Sequence, residues 1–363
     1  MDLLPGYVAV EAVSCLFAVL FVLFALDGFP LKGAIKPRLE RSASMDFLKG
    51  VAIVAVVAIH ATTFAAWGAP LKNYFDFAIP FFIICSGYLL SRRHPEGVEL
   101  KGYFTGIFWR IAVPYAIYTF AAWLVLGAGS LDLGALLADL ALGRANYGAL
   151  YFVPLILQFY VLYPFIARHR KLLLSNAALL AVLLASIWIS NMDYQLRAQQ
   201  WNSNAISMIF FGRFAFYFLF GMRLSQADEA KLASKKSLPM LAALAACSLV
   251  LPLYDGSRYF GYASPLLGFI AGIWLAAMLQ RSAYGLRVFG AFAKLGRHTL
   301  GIYLLHTPAI SLLGMALPSL WGGAIGFAAL TAAATLLSYA AALFFLRLSR
   351  QVPVFSRTTT TNK

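Results

Sequence analysis

Glu11, Asp46, Lys49, His60, Arg110, Arg213 and His306 are ionisable residues set inside long apolar runs of the chain. Burying such a side chain among apolar neighbours is costly, so each is a candidate for chemistry until a structural partner accounts for it. Three of them share one run. On a helix turning 100° per residue, Lys49 and His60 differ by roughly 20° and Asp46 and His60 by roughly 40°, which puts all three on one stripe. The helical rise from Lys49 to His60 is roughly 16 Å. Between them the stripe carries only Ile53, Val56 and Val57. The pattern is a charged mouth leading to a buried imidazole, the side chain best suited to move a proton or to attack a carbonyl near neutral pH. Two plainer readings stand beside it. An acid and a lysine at i,i+3 suit the start of any helix, and a single histidine in a span is satisfied by one structural hydrogen bond.

The elements that must carry these residues follow from composition. Of the 363 residues, 61% are hydrophobic and 12% charged, and the mean hydropathy is +0.77. A soluble chain runs near 45–50% apolar and about 25% charged, so a soluble enzyme, a disordered chain and a fibrous repeat are all excluded. A spanning helix needs about 20 residues, and the chain divides into eleven apolar spans near 7–26, 45–66, 74–91, 104–127, 149–166, 172–190, 204–222, 238–254, 260–280, 299–316 and 322–346. Long apolar blocks such as Val51–Ile59 argue against the period-two alternation of a membrane barrel. With the N-terminus outside, the loops that face inward hold nearly all of the lysine and arginine, and the outward loops hold only Lys72, Arg144, Arg197 and Arg258. That asymmetry is the orientation signal of a membrane protein. It accounts for most of the net charge of +15 without nucleic acid as a partner. Asp2 and the absence of basic residues before the first span read as a retained helix rather than a cleaved signal. Cys15, Cys85 and Cys247 lie far apart in apolar stretches, with no disulfide framework or metal-ligand spacing. The leucines of 131–142 alternate with Asp132 and Asp139 in a pattern suited to a short helix on the outer surface. The expected fold is therefore an all-α polytopic membrane protein with a cytoplasmic C-terminus. It divides into an extra first helix and basic loop (1–40), a transmembrane domain (41–347) and a polar cytoplasmic tail (348–363).

Five segments, in order, carry a resemblance. Arg41-Ser-Ala-Ser-Met-Asp46-Phe-Leu-Lys49-Gly50 running on to His60 resembles the opening motif of the membrane acyltransferase-3 family. Pro80-Phe-Phe-Ile-Ile-Cys85-Ser86-Gly87-Tyr88 with Arg92-Arg93 is similar to its phenylalanine-rich Ser-Gly-aromatic helix. Phe108-Trp109-Arg110-Ile-Ala-Val-Pro114-Tyr115 resembles its Arg-Ile-x-Pro-x-Tyr helix, and Tyr151-Phe152 to Gln158-Phe159-Tyr160 its Trp-Phe to Phe-Gln-Leu-Tyr segment. Gly296 to Thr299-Leu-Gly-Ile-Tyr303-Leu-Leu-His306 resembles its late Ile-Tyr-Leu-x-His motif. Each motif alone is weak, and five in register are specific. Two features depart from the pattern. Lys49 stands where arginine is usual and lacks the planar fork for bidentate contact, and the first span is additional to a ten-helix core.

The resemblance implies an integral-membrane enzyme, most readily of a bacterial inner membrane. Such an enzyme moves an acyl group, most readily acetyl, from cytoplasmic acyl-CoA to a hydroxyl of a cell-envelope glycan or exopolysaccharide. It implies His60 as general base or acyl-accepting nucleophile, with Asp46 and Lys49 at the mouth. Lys49, Arg92, Arg93 and Arg110 would hold the phosphates of coenzyme A, although Arg92 and Arg93 also serve as orientation signal. Arg213, Tyr151, Gln158 and His306 would line the acceptor site, although Arg213 could pair with an acid and the tyrosines could belong to an interfacial belt. No metal is implied. Polysaccharide-biosynthesis proteins are the expected partners, because no SGNH-type esterase domain follows and a second catalytic step would need another chain. Oligomeric state is not readable. From the residues alone, a transporter or flippase of lipid-linked saccharides competes with this reading, and a membrane scaffold ranks third. A transporter often shows repeated halves, and no internal repeat is apparent.

Overall fold

The computed structural model describes residues 42–95, 97–126, 132–144, 149–198, 209–227 and 263–351. Among them every regular element is helical. The first expected span with Glu11, the span at 238–254 and most of the polar tail lie outside the described residues. Among the described residues, four helices are long and apolar enough to cross a membrane: Ala43–Ala61, Leu100–Val125, Thr299–Ala316 and Gly323–Leu348. With shorter apolar helices beside them, they make the chain an all-α integral membrane protein.

Helix α1 (Ala43–Ala61) is the axis of the fold. Its start is set by Ser42, whose hydroxyl accepts from Met45 N–H at 3.3 Å, satisfying one of the orphan donors of the first turn. It is buried on nearly all sides, as a helix apolar all round must be. After a 3₁₀ turn (Ala66–Leu71) and the single-turn α2 (Lys72–Phe75), α3 (Ala78–Arg93) runs back beside it. Helices α4 (Leu100–Ile107) and α5 (Val113–Leu126) form one rod joined by a π-helical stretch, Phe108–Ala112. Helix α6 (Leu133–Leu142) is the short surface helix its leucines suggested, capped by Asp132 and ended by Gly143 at φ 64°. The Tyr115 hydroxyl ties it to α5 by donating to the Leu140 carbonyl at 2.9 Å. Then follow α7 (Phe152–Arg168), α8 (Arg170–Leu173), α9 (Asn176–Ala198) and α10 (Ala215–Leu224). The last four are α11 (Ala263–Leu279), α12 (Ala283–Arg297), α13 (Thr299–Ala316) and α14 (Gly323–Gln351).

Helix α12 corrects the sequence reading. Residues 281–297 read as a basic inward loop, yet they form a helix that packs along α1. Gly285, Phe289, Ala293 and Gly296 are buried along one face, while Arg287, Lys294 and Arg297 are exposed. The charges that signalled a loop are the wet side of an amphipathic helix. Phe47 stacks on Phe289 with centroids 5.3 Å apart and meets Phe292 edge-on at 5.8 Å.

Two glycines make this contact possible. A Cβ at Gly50 would collide with the Phe292 carbonyl, and one at Gly296 with the Asp46 carbonyl. Small residues of this kind let membrane helices approach backbone to backbone. The same device joins α3 to α10, where Gly87 faces the Phe218 carbonyl and Gly221 the Ile84 carbonyl. Gly50→Leu and Gly296→Val therefore abolish the monodisperse folded protein in detergent, because a backbone carbonyl cannot rotate away as a side chain can. Gly290→Ala, which meets nothing within 4 Å, leaves the thermal unfolding midpoint unchanged or slightly higher.

Candidate active site

The polar stripe of α1 survives in three dimensions. Lys49 Nζ lies 2.8 Å from Asp46 Oδ1. Asp46 is buried, whereas the Lys49 side chain keeps 18% of its surface, so the ammonium can still meet a second anion. Beside them on α3, the Cys85 Sγ lies 3.9 Å from the Met45 carbonyl. Arg92 follows Cys85 by seven residues, roughly 10 Å nearer the end of α3. The Arg92 guanidinium lies 5.5 Å over the Tyr88 ring and donates to the Tyr88 hydroxyl at 2.8 Å. Arg93 is exposed and Arg110 half-buried.

Arg110 sits in the π-helical stretch, where one extra residue re-aims the side chain relative to an unbroken α-helix. Such insertions recur at functional sites. Arg93 is near enough to bear electrostatically on Arg110. The neighbouring His94, at the end of α3, packs edge-on to Tyr103 at 5.8 Å. Burial, and then the charge of Arg93, hold its imidazole below its ordinary pKa. The charge of this rim comes from arginines.

At the other end of α1, His60 meets His306 of α13, with ring centroids 4.9 Å apart. His306 is fully buried. Its Nδ1 lies 2.5 Å from the Tyr303 carbonyl. The Tyr303 hydroxyl donates to the Ala149 carbonyl at 2.5 Å and accepts from Phe152 N–H at 3.3 Å. That ties the histidine pair to the head of α7, where Tyr151 is half-buried. No pattern in the sequence joined residues 60 and 306. Each was a separate ionisable group in a span, and only the packing of α13 on α1 brings them into contact.

The structure thus gathers the candidates at two stations. Asp46 and Lys49 stand on α1 beside the arginine-bearing end of α3, and His60 and His306 stand at the far end. Gln158 and Arg213 belong together elsewhere. The Gln158 amide nitrogen donates to the Ile209 carbonyl at 2.6 Å and the Pro154 carbonyl at 3.2 Å, so it anchors the segment that carries Arg213. The apolar run 204–222 that carries Arg213 is not one continuous helix over its described residues. A 3₁₀ turn, Phe211–Phe214, precedes α10, and Arg213 lies in it, buried, with its guanidinium 5.5 Å over the Phe214 ring.

Residues 42–343 match the family model described as an acyltransferase domain. The chain belongs to the acyltransferase-3 family. The match spans α1 through most of α14 and so includes both stations. No curated protein and no solved structure gave a match to the chain. Among the described residues, no group of three or more histidine, cysteine, aspartate or glutamate side chains is placed to hold a metal ion.

One residue of this acyltransferase escaped the sequence reading. Arg170 counted there only as a basic loop residue. In the structure it crosses to α3, donating to the Pro95 carbonyl at 2.7 Å and the Ser91 hydroxyl at 2.8 Å. The Ser225 hydroxyl lies 2.8 Å from that of Ser91. The latch fixes the end of α3 from which Arg92 and Arg93 project. Its partners lie far away in the chain, so no local pattern announces it. Arg170→Met removes two charge-assisted bonds and lowers stability by about 1.5–3 kcal/mol, read as a lower unfolding midpoint, whereas the exposed Arg93→Met leaves the midpoint unchanged.

Proposed function

We propose that this membrane acyltransferase takes an acyl group, most readily acetyl, from cytoplasmic acyl-CoA and delivers it to a hydroxyl of a cell-envelope glycan or exopolysaccharide at the bacterial inner membrane. The observation that carries the reading is the pairing of the half-buried His60 with the buried His306 at the far end of the helix whose near end bears the Asp46–Lys49 ion pair. A cationic entrance and an imidazole separated by roughly 16 Å suit a long donor whose phosphates and thioester must be held at different depths.

In this reading Lys49, Arg93 and Arg110 hold the phosphates of coenzyme A. Two guanidiniums close enough to bear on each other are an anion site by charge alone, and phosphate is the anion that arginine recognises best. Asp46 keeps Lys49 in place and shields its charge from the apolar surroundings, while Arg92 stays on Tyr88 and supports the rim. His60 acts where the acyl carbon arrives. It takes the acceptor proton or attacks the carbonyl itself, and both roles demand a bare ring nitrogen. In the same reading Tyr151, at the head of α7, is the tyrosine that would meet the acceptor, while Tyr303 holds His306.

Three expected outcomes test the scheme, all read as transfer of label from acetyl-CoA in membranes carrying the full chain. His60→Ala reaches the membrane folded and transfers nothing; normal transfer by this variant would sink the assignment. Arg110→Ala retains its kcat and raises the KM for acetyl-CoA about ten- to a hundredfold, the loss expected for charge-assisted bonds of about 1.5–3 kcal/mol. Lys49→Arg keeps the charge and retains activity, whereas Lys49→Ala behaves as Arg110→Ala does.

A further inference from the structure

His306 is placed more strictly than a space-filling residue needs to be. Its Nδ1 faces the Tyr303 carbonyl. A carbonyl oxygen only accepts, so Nδ1 carries the proton and Nε2 is left as a bare lone pair. That nitrogen is completely buried and meets no hydrogen-bond partner among the described residues. A buried acceptor without a donor is an expense that structures rarely keep without use. Its ring lies 4.9 Å, centroid to centroid, from that of His60 and is tilted 58° to it. Tyr303, whose carbonyl meets the ring, is itself held through its hydroxyl to Ala149 and Phe152.

We propose that His306 is the positioning partner of His60: when the adjacent His60 ring turns to face it, the bare Nε2 of His306 accepts the ring N–H of His60, so that His60 presents its other, unprotonated nitrogen to the acceptor hydroxyl. A neutral imidazole has one N–H and one lone pair, and the neighbour that takes the first decides where the second points. The proposal rests on the reading of His60 as the group that meets the acceptor. In the transfer step, the hydroxyl oxygen bonds to the acyl carbon as its proton passes to the free nitrogen of His60. The carbon–sulfur bond then breaks, and the departing thiolate takes that proton, leaving ester and thiol. His306 gains and loses nothing. While His60 is an imidazolium, its hydrogen bond to His306 becomes charge-assisted and stronger, so the partner favours the charge that develops in the transition state as well as the geometry. The arrangement follows the logic of an oriented base in a catalytic triad, with a neutral histidine in the third position.

The test compares His306→Gln and His306→Phe in the full-length protein. Glutamine places an acceptor oxygen where Nε2 stood; phenylalanine keeps a ring of similar shape and has no acceptor. Diethyl pyrocarbonate, which acylates a bare imidazole nitrogen, supplies a readout that needs no substrate, with modification of His60 followed by mass spectrometry. The expected result is labelling of His60 at least fivefold slower in His306→Phe than in the wild type, and within twofold of the wild type in His306→Gln. Transfer from labelled acetyl-CoA should follow the same order, with kcat reduced at least tenfold in His306→Phe and KM unchanged. Equal labelling of His60 in all three proteins, or Phe as good as Gln, overturns the proposal and leaves the role of His60 intact. Should His306→Phe not fold, His306→Leu carries the same comparison. Wild-type transfer by His60→Ala would instead remove the reading on which the proposal rests, so the two failures are distinguishable.

Discussion

The close crossing of α1 and α12 is the constraint on which the rest of the structure depends. Gly50 and Gly296 let each helix press on a carbonyl of the other, the second of these belonging to Asp46. The crossing fixes the rotation of α1 about its own axis. That rotation determines where the Asp46–Lys49 pair faces and, four turns on, where His60 faces. Inside a bilayer the hydrophobic effect does not drive helices together, so association depends on close packing and on hydrogen bonds. A helix carrying three ionisable residues on one stripe needs its rotation held firmly, and a backbone-to-backbone contact holds it more firmly than interdigitated leucines.

Several of the buried polar groups are answered by a partner. Asp46 answers Lys49. Ser91 takes Arg170 from one side and Ser225 from the other. Thr331, Thr335 and Ser338 on α14 return their hydroxyls to carbonyls four residues back, at 2.9, 2.7 and 2.6 Å, which spares α13 and α14 from having to supply donors across their interface. Among the buried side-chain atoms left without a hydrogen bond, Nε2 of His306 is the one that lies beside the imidazole that the family resemblance puts at the centre of the chemistry. The Asp46–Lys49 pair and His60 stand at opposite ends of a single helix, so the distance between them is set by secondary structure and not by a loop.

Much of this was legible in the sequence, for identifiable reasons. Hydropathy alone excluded a soluble enzyme, and the stripe from Asp46 to His60 could be read because helical periodicity is a local property. The five motifs in order pointed to the acyltransferase-3 family, which the match over residues 42–343 bears out. What was not legible shares a different cause. The charges of Arg287, Lys294 and Arg297 read as an inward loop because counting basic residues ignores their phase; read at a period of 3.6, the small and aromatic residues between them would have marked an amphipathic helix. Arg213 was read only as a residue of the apolar run 204–222, because hydropathy does not register a 3₁₀ turn. Arg170 gave no signal at all, since its partners on and just beyond α3 are reached only by folding.

The sequence by itself determined the membrane class, the family, the polar stripe on α1 and the identity of the residues able to bind phosphate or move a proton. Those properties depend on composition and on neighbours within a few turns. Only the tertiary structure decided that α12 lies against α1, that Arg110 projects from a π-helical stretch near Arg93, and that His306 meets His60. These are contacts between segments far apart in the chain. They are selected by which backbones can approach closely and by which buried donors must find acceptors, and neither condition is written in any local stretch of residues.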